Sequence, residues 1–478
     1  MTTTHKLYLN GRWPDPQNSI DVVNPANGKA FAQIGTVPRP LVRQALADAS
    51  AAWPVWRKMP ARERGQYLAK IADILQRRSD EIARTITLEN GKPLAQSRGE
   101  VAMSVDHLRW FASEGARAYG RIVPNQTPGK RHMVVHTPVG VVGAIAPWNF
   151  PLVLALRKVA PALAAGCPVI LKPASATPLS SVILAEAVAE AEVPAGVFQL
   201  VVGKSAEIAA EWLENPICRK ITFTGSTEVG RRLVAGAAES LTKLSLELGG
   251  HAPVIVFDDA DFERAVEGTI IAKFRNTGQS CIAANRVYVQ ARIYDRFVEA
   301  FVERAKALKI GDGLEEGVEI GPLIDERALQ NALEHVEDAR SRGARILCGG
   351  RRSDVAGEGF FFEPTVLADV PSDVLCMREE TFAPVVPICR FETEDEAVTR
   401  ANATEYGLAA YAFTRDLSRL WRLAENLEAG TIGINDTVPA TSQCPFGGLK
   451  QSGWGRELGA EGIDAYLETK HISIGVEA

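Results

Sequence analysis

Two hydrophobic rhythms alternate along the chain: apolar positions at helical spacing, and short unbroken apolar runs of strand length. Over residues 61–88, Leu68, Ile71, Ile74, Leu75 and Ile82 fall at helical spacing, and Gly91-Lys92-Pro93 then supplies a stop. Residues 139–146 predict a strand, and 152–165 a helix ending at Gly166. Strands at 168–172, 197–202 and 220–224 alternate with helices at 180–191 and 229–239. Two strand–helix–strand crossovers therefore fit between residues 139 and 240. The rhythm restarts after Gly249-Gly250 with a buried strand at 253–257 and a helix at 261–274. Amphipathic helices at 292–308 and 325–342, and strands at 407–414 and 431–435, follow. This is an α/β pattern with largely parallel sheets, and a lobe boundary falls near Gly249-Gly250. Residues 465–475 alternate apolar and polar side chains and predict an edge strand that a partner subunit extends.

At 478 residues the chain exceeds what one core organises, so at least two lobes are expected. Residues 137–156 carry no charge over about the length of a membrane span. Pro138, Gly140, Gly143, Pro147, Asn149 and Pro151 interrupt them, so they read instead as a buried strand, a turn and a buried helix. A net charge of −5 and a pI near 5.9, with no basic stripe, argue against a nucleic-acid binder. The seven cysteines (Cys167, Cys218, Cys281, Cys348, Cys376, Cys389, Cys444) form no CxxC and no Cys/His cluster, so no metal is expected. Their odd number, and a start (MTTTH) without an apolar leader, predict a reducing, cytoplasmic setting.

Five motifs carry candidate chemistry. TGQSC at 277–281 is a polar loop directly after an apolar helix, where a thiol is both held and reachable. A lone cysteine is otherwise an inert small hydrophobe. LSLELGG at 244–250 sets Glu247 at a strand end before two glycines; partial desolvation there raises a carboxylate towards general-base range. The alternative is a surface glutamate capping a turn. PWNFP at 147–151 is a rigid turn that aims the Asn149 amide, as an oxyanion hole requires, unless Asn149 merely satisfies turn backbone. FTGSTEVG at 223–230 puts small residues at a helix N-terminus, where a dinucleotide can lie close, although the pattern is not GxGxxG. Lys172, in LKPAS at 171–175, stands at the ligand-binding edge of a parallel sheet and suits ribose hydroxyls or a phosphate.

In this order, with EETF at 379–382 and PFGG at 445–448, these motifs resemble the aldehyde dehydrogenase superfamily over almost the whole chain. The stretches at 248–253, 273–276 and 310–314 look most like succinate-semialdehyde dehydrogenases and related semialdehyde enzymes. The resemblance implies a Rossmann-type NAD(P)-binding domain (1–120 and 141–250), an α/β catalytic domain (251–435) and a small β oligomerisation arm (121–140 and 460–478). A homodimer or homotetramer follows from that arm. It further implies that Cys281 attacks as a thiolate, that Asn149 and the Cys281 backbone N–H hold the oxyanion, and that Glu247 activates water. Trp148, Lys172, Gly225, Ser226, Leu248, Glu380 and Phe382 would line an NAD or NADP cofactor.

Three departures shape specificity. Ser175 stands where NAD-preferring relatives often carry a glutamate; a neutral side chain beside Lys172 does not repel a 2′-phosphate, so NADP should be accepted and even preferred. Arg157 and Arg286 match arginines that grip a distant carboxylate, with structural ion pairing as the alternative, while the expected pocket serine aligns with Ala440 and Ser442 lies two residues on. Succinate semialdehyde is thus the expected substrate, with glutarate semialdehyde, 2-oxoglutarate semialdehyde or an aromatic aldehyde as alternatives. Ala283 occupies the place of a second cysteine, so no local disulfide switch is expected. The rivals are a CoA-acylating dehydrogenase, which needs no water-activating Glu247, a cysteine hydrolase, and a non-catalytic binding protein that keeps the fold.

Overall fold

A computed structural model describes residues 3–354 and 357–476; the ends of the first domain (residues 1–2) and of the arm (477–478) lie outside the described residues. Two sheets organise the chain. The first has six strands in the order Gly453–Trp454, Lys243–Glu247, Cys218–Thr224, Val141–Ile145, Val169–Lys172, Phe198–Leu200. All its pairings are parallel except that of the Gly453–Trp454 edge. Helices Val153–Ala165, Leu179–Glu190 and Thr227–Ala237 form the crossovers, as the alternating pattern predicts. Residues 137–156 are accordingly strand, turn and the start of a buried helix. No helix among the described residues is long and apolar enough to cross a membrane.

The second sheet has seven strands, with Ala252–Val256 and Ala284–Gln290 near its centre and Ala409–Phe413 and Thr431–Ile434 at one side. It is parallel apart from its Arg345–Cys348 edge. Its five inner strands are almost wholly buried on both faces, which is why they read as continuous apolar runs rather than as alternation. Leu467–Gly475 pairs antiparallel with Lys130–Pro138 and forms the outer edge of a three-stranded arm sheet.

Two elements depart from the sequence pattern. The helix expected over 61–88 is two helices, Ala61–Arg77 and Ser79–Asn90. The chain leaves helical geometry at Arg78 (φ −94°, ψ 17°), whose guanidinium is drawn to Glu81 and Glu186. Helix Leu94–Glu114 has no counterpart in the hydrophobic pattern. Its inward face carries Ser97, Glu100, Ser104 and His107, all fully buried, so burial there does not coincide with hydrophobicity.

Candidate active site

Helix Phe262–Phe274 delivers the chain into a tight loop in which Asn276, Thr277 and Gly278 are successively left-handed (φ 50°, 57° and 76°). Such a run is strained for a β-branched residue and persists only where its surroundings over-determine it. Here the Asn276 amide donates to the Asn149 carbonyl at 2.9 Å, Thr277 Oγ1 to the Gly321 carbonyl at 3.1 Å, and Gln279 Nε2 to the Pro322 carbonyl at 3.3 Å. The loop presents Cys281, half-buried, to a cleft of about 210 Å³ lined by Trp148, Asn149, Gly225, Leu248, Glu380 and Phe382.

The structure thus brings Cys281 and Asn149 to one cleft. Asn149 Nδ2 donates to the Gln279 carbonyl at 3.2 Å, its Oδ1 has no partner, and its backbone carbonyl accepts from Lys92 Nζ at 2.6 Å. Lys92 is itself paired at 2.6 Å with Glu100, which also accepts the Leu152 and Val153 N–H groups. The turn that aims Asn149 is therefore anchored to helix Leu94–Glu114 by a buried ion pair.

Glu247 ends its strand, buried, with no hydrogen-bond partner for Oε2 among the described residues. A Cβ at Gly447 would come within 2.8 Å of Glu247 Oε1, so the PFGG glycine leaves room for this carboxylate. Behind it lies Glu457, ion-paired to Lys158, which also donates to Thr224 Oγ1 at 2.6 Å. Burial, and then the Glu457 charge, push Glu247 well above the ordinary carboxylate range. Burial also pushes the Cys281 thiol up to about 12, with Glu380 adding and Arg157 opposing. Desolvation thus outweighs the Arg157 charge at this thiol, so the thiolate expected to attack has to form as substrate enters.

The far end of the cleft suits a dinucleotide. A Cβ at Gly225 would run into the Phe223 ring, and one at Gly249 would lie 2.8 Å from Glu380, so both glycines keep the floor open. Ser226 caps helix Thr227–Ala237, accepting from the Val229 N–H, and this N-terminus favours phosphate oxygens. Trp148 and Phe382 meet edge to face at 5.5 Å, and Glu380 accepts the Gly250 N–H at 3.1 Å. Lys172 and Ser175 lie off this cleft lining, at the end of strand Val169–Lys172 on the same sheet edge; Lys172 Nζ donates to its neighbour Pro173 and burial lowers it to about 8.

The three substrate candidates separate. Arg157 is buried, its guanidinium 4.6 Å over the Phe446 ring and 4.0 Å from Glu457. Arg286 is not part of the site. It is buried in strand Ala284–Gln290, and its donors are taken up by the carbonyls of His251, Arg400 and Ala401, so it is a structural staple. Ser442 is buried too, with its hydroxyl committed to His107 and Asp106. The arginine that sequence reasoning missed is Arg275. It stacks on Phe150 at 5.2 Å and lines a second cleft with Met103, Phe274 and Ala440. The charges of Arg275, Arg157 and the Cys281 thiol bear on one another. Its signal lay in residues 273–276, read only as a likeness and not as a binding group. Among the described residues, no group of three or more His, Cys, Asp or Glu is placed to hold a metal ion.

The aldehyde dehydrogenase family model matches residues 13–472. The chain belongs to the aldehyde dehydrogenase family. It is similar to the NADP+-dependent succinate-semialdehyde dehydrogenase of Escherichia coli, 48% identical over 98% of both chains. It is likewise similar to the glutarate-semialdehyde dehydrogenase of Pseudomonas aeruginosa, 47% identical over 98% of this chain and 97% of that one. A crystal structure described as an E. coli NADP-dependent enzyme superposes with a TM-score of 0.97 at 47% identity, covering 99% and 98% of the two chains. This aldehyde dehydrogenase is thus an oxidoreductase that acts on aldehydes with a nicotinamide dinucleotide, NAD or NADP.

Proposed function

We propose that this aldehyde dehydrogenase oxidises a semialdehyde bearing a second carboxylate, succinate semialdehyde first and glutarate semialdehyde as the alternative. The observation that carries the reading is Arg275, whose guanidinium stacks on Phe150 at 5.2 Å and which lines the second cleft with Met103, Phe274 and Ala440; the charge of the buried Arg157 bears on the Cys281 thiol as well. Guanidinium groups favour an anionic substrate tail, and planar forks match a carboxylate. The semialdehydes named for the two relatives support the same class.

The residues divide the work. Cys281 sulfur bonds to the aldehyde carbon while its thiol proton passes to solvent water. The Asn149 amide and the Cys281 backbone N–H hold the developing oxyanion. Trp148, Gly225, Ser226, Leu248, Glu380 and Phe382 would hold the dinucleotide, which when bound accepts the hydride whose loss leaves a thioester on Cys281. Glu247, a stronger base than an ordinary carboxylate once deprotonated, takes a proton from water as it attacks that thioester, releasing the acid and returning the thiol. Lys172 and Ser175 present no carboxylate to an adenosine 2′-phosphate, so NADP is used at least as well as NAD. The arm strand Leu467–Gly475, with its free edge, supports assembly into a homodimer or homotetramer, and seven free cysteines support a reducing cytoplasm.

A panel of succinate, glutarate and 2-oxoglutarate semialdehydes, an aromatic aldehyde and butanal, each with NAD and with NADP, tests this reading. The expected result is the highest kcat/KM with a dicarboxylic semialdehyde and a ratio of NADP to NAD of at least one. Preference for butanal or the aromatic aldehyde would overturn it.

A further inference from the structure

Arg157 is positioned by more than Glu457. Its Nε–H points to His107 Nε2 at 3.4 Å; His107 Nδ1 lies 2.7 Å from Ser442 Oγ; and Ser442 reaches Asp106 Oδ2. We propose that Asp106, Ser442 and His107 form a positioning relay that fixes the Arg157 guanidinium and so sets the preference for a carboxylate-bearing aldehyde. The proposal rests on the role of Arg157 given above.

The donor order admits one assignment. Arginine only donates, so His107 Nε2 accepts and its proton sits on Nδ1. Nδ1–H then donates to Ser442 Oγ, which leaves the Ser442 hydroxyl proton for the Asp106 carboxylate. Each link polarises the next. The imidazole is neutral: burial, and then the Arg157 charge, hold it well below the ordinary histidine range.

A neutral link has a consequence that an ion pair does not. A carboxylate bonded directly to the Arg157 Nε–H would orient the guanidinium but cancel much of its pull on a substrate anion. His107 orients it without adding a second carboxylate to Glu457, which stands 4.0 Å away, because the Asp106 charge lies two groups further off. The Phe446 ring holds one face of the guanidinium, His107 takes Nε and Glu457 stands 4.0 Å from Nη1, which leaves Nη2 to meet an anion. The frame is rigid: Trp110 Nε1, on the same helix as Asp106 and His107, donates to the Gly459 carbonyl at 3.2 Å and ties that helix to the segment carrying Ser442. Like Arg157, none of the three relay residues lines either cleft; their link to the site is the Arg157 charge, which bears on the Cys281 thiol.

The test compares succinate semialdehyde with butanal, which has the same carbon chain without the carboxylate, in the parent, Ser442→Ala, His107→Phe, Ser442→Thr and Arg157→Leu enzymes. Ser442→Ala and His107→Phe are expected to raise KM for succinate semialdehyde at least about tenfold, the factor that a lost charge-assisted hydrogen bond carries. Their kcat and their kinetics on butanal should move far less, and Ser442→Thr, which keeps the hydroxyl, should restore the parent KM. Parallel losses on both aldehydes, or unchanged preference in Ser442→Ala and His107→Phe while Arg157→Leu abolishes it, would overturn the relay alone. A parent without preference, unaltered in Arg157→Leu, would overturn the role of Arg157 itself.

Discussion

Gly250 packs against Cys281 so closely that a Cβ at Gly250 would overlap the Cys281 carbonyl oxygen. The glycine pair after Glu247 is thus the surface on which the nucleophile's loop rests. Gly250→Ala must push that loop outwards, and overpacking of this kind costs about 1–3 kcal/mol of stability. Displacing the thiol by an ångström costs about a hundredfold in rate. A lower Tm together with a kcat fall of that size is expected; parent-like kinetics would show that the loop yields freely.

Asn149→Ala removes an aimed donor while leaving the Lys92 and Asn276 bonds to the residue's backbone carbonyl in place. The kcat should fall about 10²–10³-fold, as when one oxyanion donor is lost elsewhere. Nucleotide affinity, read by fluorescence titration, should stay near that of the parent.

The pH dependence follows from Glu247. Its carboxyl is raised well above the ordinary range by burial and Glu457, so it is protonated, and useless as a base, at mildly acidic pH. Activity must therefore climb with pH, with the half-point above that of a free carboxylate. Because the Glu457 charge helps to raise Glu247, Glu457→Gln should move the ascending limb to lower pH. A profile already flat from acidic pH upwards would contradict this.

Arg275 and Arg286 give opposite signatures. Arg275→Leu should raise KM for a dicarboxylic semialdehyde about tenfold or more, as loss of a hydrogen bond to a charge predicts, with little change in Tm. Arg286→Leu leaves three carbonyls without their donor and should lower stability by about 1–3 kcal/mol or more, with KM preserved in the folded fraction. Thermal melts alongside steady-state kinetics separate the two.

The contrast between these arginines also marks where the sequence was readable. Parallel strands buried on both faces announce themselves as apolar runs, so the two crossovers between residues 139 and 240 were legible, as were the glycine- and proline-marked turns that set Cys281 and Asn149 on one cleft. Arg286 sits on a strand whose residues are nearly all buried, so alternation gave no clue that its head turns to backbone carbonyls. The polar inner face of helix Leu94–Glu114, with Glu100 and His107, was invisible to any reading that equates burial with hydrophobicity. Lys158, Glu457 and the Asp106–Ser442–His107 relay join segments hundreds of residues apart, and only the folded chain brings them together.

The central claim is that the acyl group passes through Cys281. Acid quenching of Glu247→Gln shortly after mixing with succinate semialdehyde and NADP+, followed by peptide mass spectrometry, tests it most directly. The account predicts one burst of reduced nucleotide per active site and a succinyl thioester on the Cys281 peptide that hydrolyses slowly. Continued nucleotide reduction with that peptide unmodified would contradict it.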